Sequence, residues 1–128
     1  MSKQIFKRAG DHLPETCRPG WETLYLLGDK WTGPVLGEIS QAGRLRFSEI
    51  GKAIGISQRM LTLTLRRLER DGLVRREVHP VIPPRVEYEL TERGDSLLGA
   101  LRDFARWGFE NFADIEESRR VFDAAESA

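Results

Sequence analysis

A chain of 128 residues is long enough for one domain, and 40% apolar residues with three tryptophans can build its core. No apolar run reaches the roughly 18 residues of a membrane span, and no apolar segment follows the basic N-terminus as it would in a secretory signal. We therefore expect a soluble, cytoplasmic chain. Cys17 is the single cysteine, which excludes an internal disulfide and a multi-cysteine zinc site.

The formal net charge is zero, but the charges are unevenly distributed along the chain. Residues 44–76 carry nine basic side chains against three acidic ones, whereas residues 94–128 carry four basic against eight acidic ones. A basic middle with an acidic end suggests that the two parts have different tasks, and a basic segment suits nucleic acid. Solvated helix faces also carry mixed charge, so composition leaves both interpretations open.

Apolar spacing and turn residues predict three helices before residue 56. The first extends from Trp21 to Leu27, and the second begins with Thr32 as its N-cap. The third is about two turns long, with Ser48 as its N-cap and Gly55 as its stop.

A fourth helix follows a tight connection and begins at Ser57, its predicted N-cap. Leucines at positions 61, 65 and 68 mark its inward side, and residues 71–72 (Asp-Gly) end it. Extended runs then flank a stiff turn with prolines at positions 80, 83 and 84, which predicts a two-stranded hairpin. Thr91 opens a last helix that extends to about Ala113, and its apolar surface is wider than one small core needs.

The order of helix, short helix, tight turn, helix and hairpin is that of a winged helix-turn-helix. In that fold the helix after the turn enters the DNA major groove and the hairpin contacts the flanking backbone. The basic segment coincides with these elements. Trp31 and Phe47 are expected in the core.

Several ordered blocks of the sequence stand at characteristic spacing: Cys17 and residues 28–32 (GDKWT), 46–50 (RFSEI), 56–61 (ISQRML), 65–74 (LRRLERDGLV) and 83–94 (PPRVEYELTERG). Together these blocks resemble the HxlR-type transcriptional regulators of the wider MarR-like winged-helix group. The resemblance covers about residues 16–112 and implies a bacterial or archaeal, cytoplasmic, homodimeric regulator that represses or activates at a partly palindromic operator.

The expected fold class is therefore α+β and mainly α, a winged helix-turn-helix with a two-stranded wing and an N- and C-terminal helical dimerisation region. We expect an N-terminal extension over 1–15, the winged domain with its dimerisation helices over 16–113, and an acidic C-terminal tail over 114–128. The first and last helices would pair two subunits so that the two Ser57 helices lie about one DNA turn, roughly 34 Å, apart.

The Ser57 helix supplies the residues predicted to read bases. Gln58 lies at its exposed N-terminal end, and Arg59 and Thr62 face away from the leucines. Gln suits adenine, Arg suits guanine, and Thr suits a phosphate or a thymine methyl. The alternative for all three residues is an ordinary solvated helix face.

Arg66 shares the face of Arg59 and is also predicted to contact DNA. Glu69 at i+3 offers Arg66 a carboxylate partner, as Asp71 at i+4 does for Arg67, so ion pairing within the helix is the alternative for both arginines.

A second group of residues is placed to contact phosphates. Ser48 and Ser57 lie at predicted helix N-termini, where backbone amides can bind a phosphate, although capping alone also explains both serines. Arg85 is favoured because the preceding prolines stiffen the wing tip, and an ion pair with Glu87 is its alternative. The hairpin and the preceding helix add further cations, namely Arg46, Lys52, Arg75 and Arg76.

Cys17 precedes the first helix and neighbours Arg18, a cation that would favour the thiolate. Several HxlR-type regulators sense oxidants or electrophiles through a cysteine near this position, so the resemblance implies a redox sensor here. An inert, half-buried cysteine is the other interpretation. Any disulfide would have to join two subunits or a small thiol.

No pattern in the sequence indicates an enzyme. The two histidines, His12 and His79, are far apart, and the chain has no Gly-rich phosphate loop, nucleophile elbow or metal-ligand set. We therefore expect no catalysis, metal or cofactor. The partners expected are double-stranded DNA and a second copy of the chain, with room for an unidentified small-molecule effector; the alternative is a winged-helix protein-interaction module without DNA binding.

Overall fold

The structure, a computed structural model, describes residues 18–128, so Cys17 and the predicted N-terminal extension lie outside the described residues. The helices are α1 (Arg18–Glu22), α2 (Leu24–Gly28), α3 (Thr32–Ala42), α4 (Phe47–Ile54), α5 (Gln58–Arg70) and α6 (Glu92–Ser127), and the strands are β1 (Leu45–Arg46), β2 (Val74–His79) and β3 (Arg85–Leu90). This order confirms the predicted α+β, mainly helical, winged helix-turn-helix fold.

The starts of the first helices differ from the prediction. The expected single first helix is divided at Thr23 into α1 and α2. Thr32 is not the N-cap of α3, because Trp31 occupies that position. The Asp29 carboxylate caps the helix instead: it accepts hydrogen bonds from the backbone amides of Trp31 at 3.2 Å and Thr32 at 2.8 Å.

Helix α4 begins at Phe47, two residues earlier than an N-cap at Ser48 predicts, so Ser48 is not its N-cap. Arg46 occupies the N-cap position, and the Glu49 side chain accepts a hydrogen bond from the backbone amide of Arg46 at 2.8 Å. Ser48 is therefore the second residue of the helix, with an exposed side chain.

Helix α5 begins and packs as predicted. The Ser57 hydroxyl accepts a hydrogen bond from the backbone amide of Met60 at 3.1 Å, which confirms Ser57 as the N-cap. Gly55, with a φ of 68°, makes the left-handed turn that joins α4 to α5. The inward leucines Leu61, Leu65 and Leu68 are buried, together with Thr64.

The sheet is antiparallel, with the strand order β1-β3-β2. β2 and β3 form the predicted hairpin, with residues 80–84 at its tip. The short strand β1 was not predicted, and it adds the pairs Leu45 with Tyr88 and Arg46 with Glu87. Two residues are too few for alternation to reveal a strand in the sequence.

The two ends of the wing hairpin meet at its base. The backbone amide of Thr91 donates to the Leu73 carbonyl at 3.1 Å, and the Thr91 hydroxyl donates to the Gly72 carbonyl at 2.6 Å. The same hydroxyl accepts a hydrogen bond from the Gly94 amide at 3.0 Å, so Thr91 also caps α6. The wing therefore leaves and rejoins the helical body at one point.

The core lies between α3, α4 and α5, the inner face of the sheet and the first turns of α6. Trp31 and Phe47 pack against it as partly buried residues, which confirms their expected place. The buried core residues are Leu26, Val35, Leu36, Ile39, Ile50, Ile56, Leu61, Leu65, Leu68, Leu73, Val74, Tyr88 and Leu98.

Helix α6 continues to Ser127 rather than ending near Ala113, so the acidic segment 114–128 is helical almost to its end. Of its 36 residues, Gly94 and Leu98 are the buried ones. Several large apolar side chains beyond them are exposed: Phe104, Trp107, Phe109, Phe112, Val121 and Phe122. Over residues 18–128, no helix has both the length and the apolar character that crossing a membrane requires.

Candidate nucleic-acid interface

The outward side of α5 carries the residues predicted to read bases. Gln58, Arg59, Thr62 and Arg66 are all exposed there. Among the residues that the structure describes, neither Arg59 nor Arg66 has a carboxylate partner, so the predicted Arg66 pairing with Glu69 does not form. Both guanidinium groups therefore point their donors into solvent.

Thr62 retains part of its binding capacity. Its hydroxyl donates to the backbone carbonyl of Gln58 at 2.9 Å, one turn earlier in the helix. This bond uses the hydroxyl proton but leaves the methyl group and the oxygen lone pairs for an outside contact.

Arg67 has a different role from Arg66 because it is tied into the fold. Its Nη2 donates to Asp29 Oδ2 at 2.8 Å and to the Thr32 hydroxyl at 3.1 Å. The expected partner, Asp71, instead accepts a hydrogen bond from the Tyr25 hydroxyl. Two bonds thus hold the C-terminal half of α5 against the segment between α2 and α3.

The carboxylate of Asp29 is the centre of this contact. Burial alone would raise the pKa of Asp29, but the hydrogen bonds from Thr32 and the nearby Arg67 guanidinium outweigh burial and lower this pKa. Across the same contact, the hydrogen bond to Asp71 raises the pKa of the Tyr25 phenol. Asp29 is therefore a charged, structural group at neutral pH.

A cavity of about 440 Å³ lies between α4, α5 and the sheet, lined by Phe47, Thr62, Arg66, Glu69, Arg76 and Tyr88. It brings Arg76 of β2 beside the outward side of α5, whereas the sequence interpretation named Arg76 among the phosphate-contacting cations but favoured Arg85. Alternation along β2 could have revealed this, since Arg76 shares the face of the buried Val74 and therefore turns toward the helices.

The opposite face of the sheet carries an ion-pair network. Arg44 contacts three carboxylates, those of Glu77 at 3.2 Å, Glu87 at 3.7 Å and Glu89 at 3.1 Å. Arg75 adds a contact to Glu89 at 3.3 Å. Most charge on this face is therefore paired within the wing.

Glu87 also pairs with Arg85, the arginine that was expected to contact a phosphate. Arg85 Nε lies 3.7 Å from Glu87 Oε2, and His79 Nε2 lies 2.8 Å from Glu87 Oε1. The hydrogen bond with His79, and the positive charges of Arg85 and Arg44, lower the pKa of Glu87. The alternative partner considered for Arg85 is thus present.

A second cavity, of about 530 Å³, lies between the start of α4 and the wing tip. It is lined by Arg46, Phe47 and Ser48 on one side and by residues 81–86 on the other. The structure therefore divides the predicted residues into two groups: Gln58, Arg59, Thr62 and Arg66 along α5, and Arg46, Ser48 and Arg85 beside the wing. Ser57 lies at the start of α5 as a cap, and Cys17 is outside the described residues.

The sequence model of one family, described as HxlR-like helix-turn-helix, matches residues 26–116. The chain belongs to this family. An HTH-type transcriptional regulator of Methanothermobacter thermautotrophicus is 53% identical over 83 residues, which is 64% of this chain and 63%, or less than two thirds, of that protein. The HTH-type regulator YdeP of Bacillus subtilis is 43% identical over 106 residues, covering 79% of this chain and 81% of YdeP.

Solved structures of several transcriptional regulators share the fold. The redox regulator HypR in its reduced form is 42% identical, with a TM-score of 0.68 over 77% of this chain and 98% of HypR. The reduced form of the regulator YodB from B. subtilis is 33% identical, with a TM-score of 0.62 over 76% of this chain and 92% of YodB. A MarR-family regulator from Porphyromonas gingivalis is 34% identical, with a TM-score of 0.65 over 79% of this chain and 98% of that protein. These likenesses place the HxlR-like chain among transcriptional regulators of the helix-turn-helix type.

Proposed function

We propose that this protein is a homodimeric, sequence-specific regulator that binds a partly palindromic operator through α5. The observation that carries the proposal is the outward side of α5, where Arg59 and Arg66 are exposed and have no carboxylate partner within residues 18–128. Unpaired guanidinium groups on the exposed side of a helix are free to bind phosphates or guanine edges.

The roles of the individual residues follow from their positions. Gln58, Arg59 and Thr62, in the first turns of α5, contact base edges, since the N-terminal residues of a recognition helix enter the groove. Arg66 and Arg76, around the cavity between α5 and β2, bind the adjoining phosphates.

The residues beside the wing contact the phosphate backbone of the DNA that flanks the half-site. Arg46, Ser48 and Arg85 line one cavity, and each can donate to a phosphate there. Ser57 serves mainly as the cap that starts the recognition helix. For Arg85, binding a phosphate means giving up part of its contact with Glu87, so its contribution is smaller than that of Arg59.

Dimerisation is supported by the exposed apolar surface of α6 and α2. Phe109 is 89% exposed, and Leu24, Tyr25 and Leu27 of α2 are also exposed. A second copy would bury these side chains, and burying them is favourable by about 25 cal/mol per Å². Two α5 helices related by a two-fold axis would then read two half-sites.

A response to oxidants through Cys17 is supported by the similar solved structures, since HypR is a redox regulator and YodB is known in reduced and diamide-treated forms. With one cysteine per chain, the disulfide would join the Cys17 thiols of two subunits. The diazene bond of diamide would accept the two electrons and two protons that these thiols lose.

The first test is DNA binding by fluorescence anisotropy, on the DNA upstream of the coding region and on duplexes selected from a random library, at two salt concentrations. We expect salt-sensitive binding that prefers specific duplexes over scrambled ones. Arg59→Ala should lose at least tenfold in affinity because a good arginine contact to a base contributes about 1–3 kcal/mol.

The matched control is Arg102→Ala, which removes the same charge from an exposed position on α6 and should bind nearly as the wild type does. If the wild-type protein prefers no sequence, the proposal is wrong and the winged-helix interaction module is the better description.

The redox proposal has its own test. Diamide should release the wild-type protein from its operator and produce a covalent dimer on a non-reducing gel, and Cys17→Ser should show neither effect. Release of Cys17→Ser by diamide to the same extent would exclude Cys17 as the sensor.

A further inference from the structure

An exposed leucine lies in the middle of the arginines on α5. Leu63 is 53% exposed, and the residues at i−4, i+3 and i+7 from it are Arg59, Arg66 and Arg70, all exposed. This spacing places the four side chains in one line along the helix. The line lies opposite the buried side formed by Leu61, Leu65 and Leu68, so Leu63 points away from the protein core.

Leu63 is not needed to complete the fold. The core cluster and the partly buried residues packed against it do not include Leu63. A single exposed leucine is ordinary on a protein surface, but this one lies on the side that the proposed function turns toward DNA. On a solvated face with three arginines around it, a polar residue would serve equally well.

The major groove offers one apolar group to such a side chain, the C5-methyl group of thymine. The surrounding arginines suit the phosphates on either side of the groove, so the charge of this surface matches duplex DNA and argues against an apolar protein partner.

We propose that Leu63 is a specificity-determining residue that recognises a thymine methyl group within each half-site. The inference rests on the proposed function, because it takes α5 as the recognition helix. It adds a determinant that cannot form hydrogen bonds, beside the polar residues Gln58, Arg59 and Thr62. Exclusion of water between the leucine and the methyl group provides the preference for thymine.

The test replaces single thymines of the selected half-site by deoxyuridine, which lacks the C5-methyl group and pairs with adenine as thymine does. Wild-type protein should lose about fourfold in affinity at one thymine in each half-site, corresponding to about 0.8 kcal/mol for one methyl group. Leu63→Ala removes the contact in both subunits, so it should bind the thymine operator at least fourfold more weakly, and it should not distinguish thymine from deoxyuridine.

Two controls separate recognition from other effects. Leu63→Met keeps an apolar side chain of similar size and should restore the preference for thymine. The dependence of affinity on salt should be the same in all three proteins, since no charge changes. Equal unfolding midpoints of the variants would show that Leu63→Ala is folded.

The outcomes also separate the two proposals. If the wild-type protein selects an operator but is indifferent to deoxyuridine at every position, or if Leu63→Ala keeps the wild-type preference, the role of Leu63 is wrong while DNA recognition by α5 stands. If the wild-type protein selects no sequence, both proposals fail.

Discussion

Two serines near the starts of adjacent helices have different roles in this protein. The hydroxyl of Ser57 accepts the Met60 amide, whereas Ser48 lies inside the first turn of α4 and no cap bond to it is present in the described residues. The same residue type next to an apolar run thus caps one helix and not the other. Helix α4 begins at Phe47, which packs against the core, and its N-cap is Arg46, two positions before Ser48.

This difference predicts unequal effects of removing each hydroxyl. Ser57→Ala should lower the free energy of unfolding by about 1 kcal/mol, as expected for the loss of an N-cap. Ser48→Ala is the matched control and should change stability by less than about 0.5 kcal/mol, the usual range for a surface substitution. Urea denaturation followed by circular dichroism measures both, and equal losses would contradict the assigned helix starts.

Gly94 shows how close the start of α6 lies to the helical body. A Cβ atom at this position would overlap the carbonyl oxygen of Leu73, whereas one at Gly99 would meet nothing within 4 Å. Backbone cannot move aside as a flexible side chain can.

We therefore expect Gly94→Ala to destabilise the protein by more than about 2 kcal/mol, through a clash in a packed region. Gly99→Ala, on the same helix, should be stabilising by up to about 1 kcal/mol because alanine is the better helix former. Thermal unfolding of the two variants tests this contrast; similar behaviour would mean that the start of α6 does not lie against Leu73.

At the scale of elements, Asp29 joins three parts of the chain. It follows α2, caps α3 and receives Arg67 from α5, so one carboxylate fixes the recognition helix relative to the helices before it. Arg67 therefore stabilises the position of α5 rather than extending its DNA-binding surface.

The lowered pKa of Asp29 predicts an acid-dependent loss of stability. In the folded protein this pKa lies below the value of 3.8 expected without the fold, so the carboxylate contributes its full stabilisation above about pH 4, and the contribution is lost as the pH falls through the folded pKa. Asp29→Asn should lower the free energy of unfolding at pH 7 by about 1–3 kcal/mol and make it less sensitive to acid.

Asp103→Asn is the control for this prediction. It removes an equally charged partner from the exposed pair between Asp103 and Arg106, which should contribute less than about 1 kcal/mol. Urea denaturation at pH 7 and pH 3 gives the comparison, and an unchanged acid dependence in Asp29→Asn would contradict the assigned role.

The sequence predicts those elements whose residues are fixed by local spacing. Local sequence patterns predict three features that the structure confirms: the inward leucines at 61, 65 and 68, the cap at Ser57 and the proline-rich turn of the wing. Two features depend on contacts distant in sequence: the strand at Leu45 and the partner of Arg67. Local spacing offered Asp71 to Arg67, but the fold brings Asp29 closer from 38 positions away.

The residues of the candidate site also divide into those that local spacing predicts and those that it does not. The outward residues of α5 could be identified from helical spacing, because one helix places them all. Alternation along β2 indicates the face of Arg76, and Glu87 two positions away is a local partner for Arg85. The ion pairs of Arg44 with the wing depend on how distant segments pack, which no local pattern specifies.

At the scale of the whole molecule, a net charge of zero is compatible with a basic interface because the paired and the unpaired charges lie on different faces of the protein. The carboxylates of the wing pair with Arg44, Arg75 and Arg85 on the outer side of the sheet, while Arg59 and Arg66 of α5 have no carboxylate partner within residues 18–128. The acidic end of the chain lies on α6, separate in sequence from the basic segment.

The length of α6 predicts how the subunits assemble. At 1.5 Å per residue, its 36 residues extend about 54 Å, and the first turns alone contact the core. Phe109→Glu places a charge on its most exposed aromatic position and should shift sedimentation from dimer to monomer at micromolar concentration. Glu110→Gln, at the neighbouring exposed position, should remain dimeric, and a wild-type protein that sediments as a monomer would contradict the proposed assembly.

The closed base of the wing has a consequence for how such proteins diversify. Because Thr91 bonds to both Gly72 and Leu73, and the strands pack on the core through Val74 and Tyr88, the base of the hairpin is fixed independently of its tip. Insertions and grafted loops should therefore be tolerated between residues 79 and 85, where the hairpin tip is exposed. The wing tip is in this sense an exchangeable part, through which related chains can acquire new flanking preferences while they keep the same helical frame.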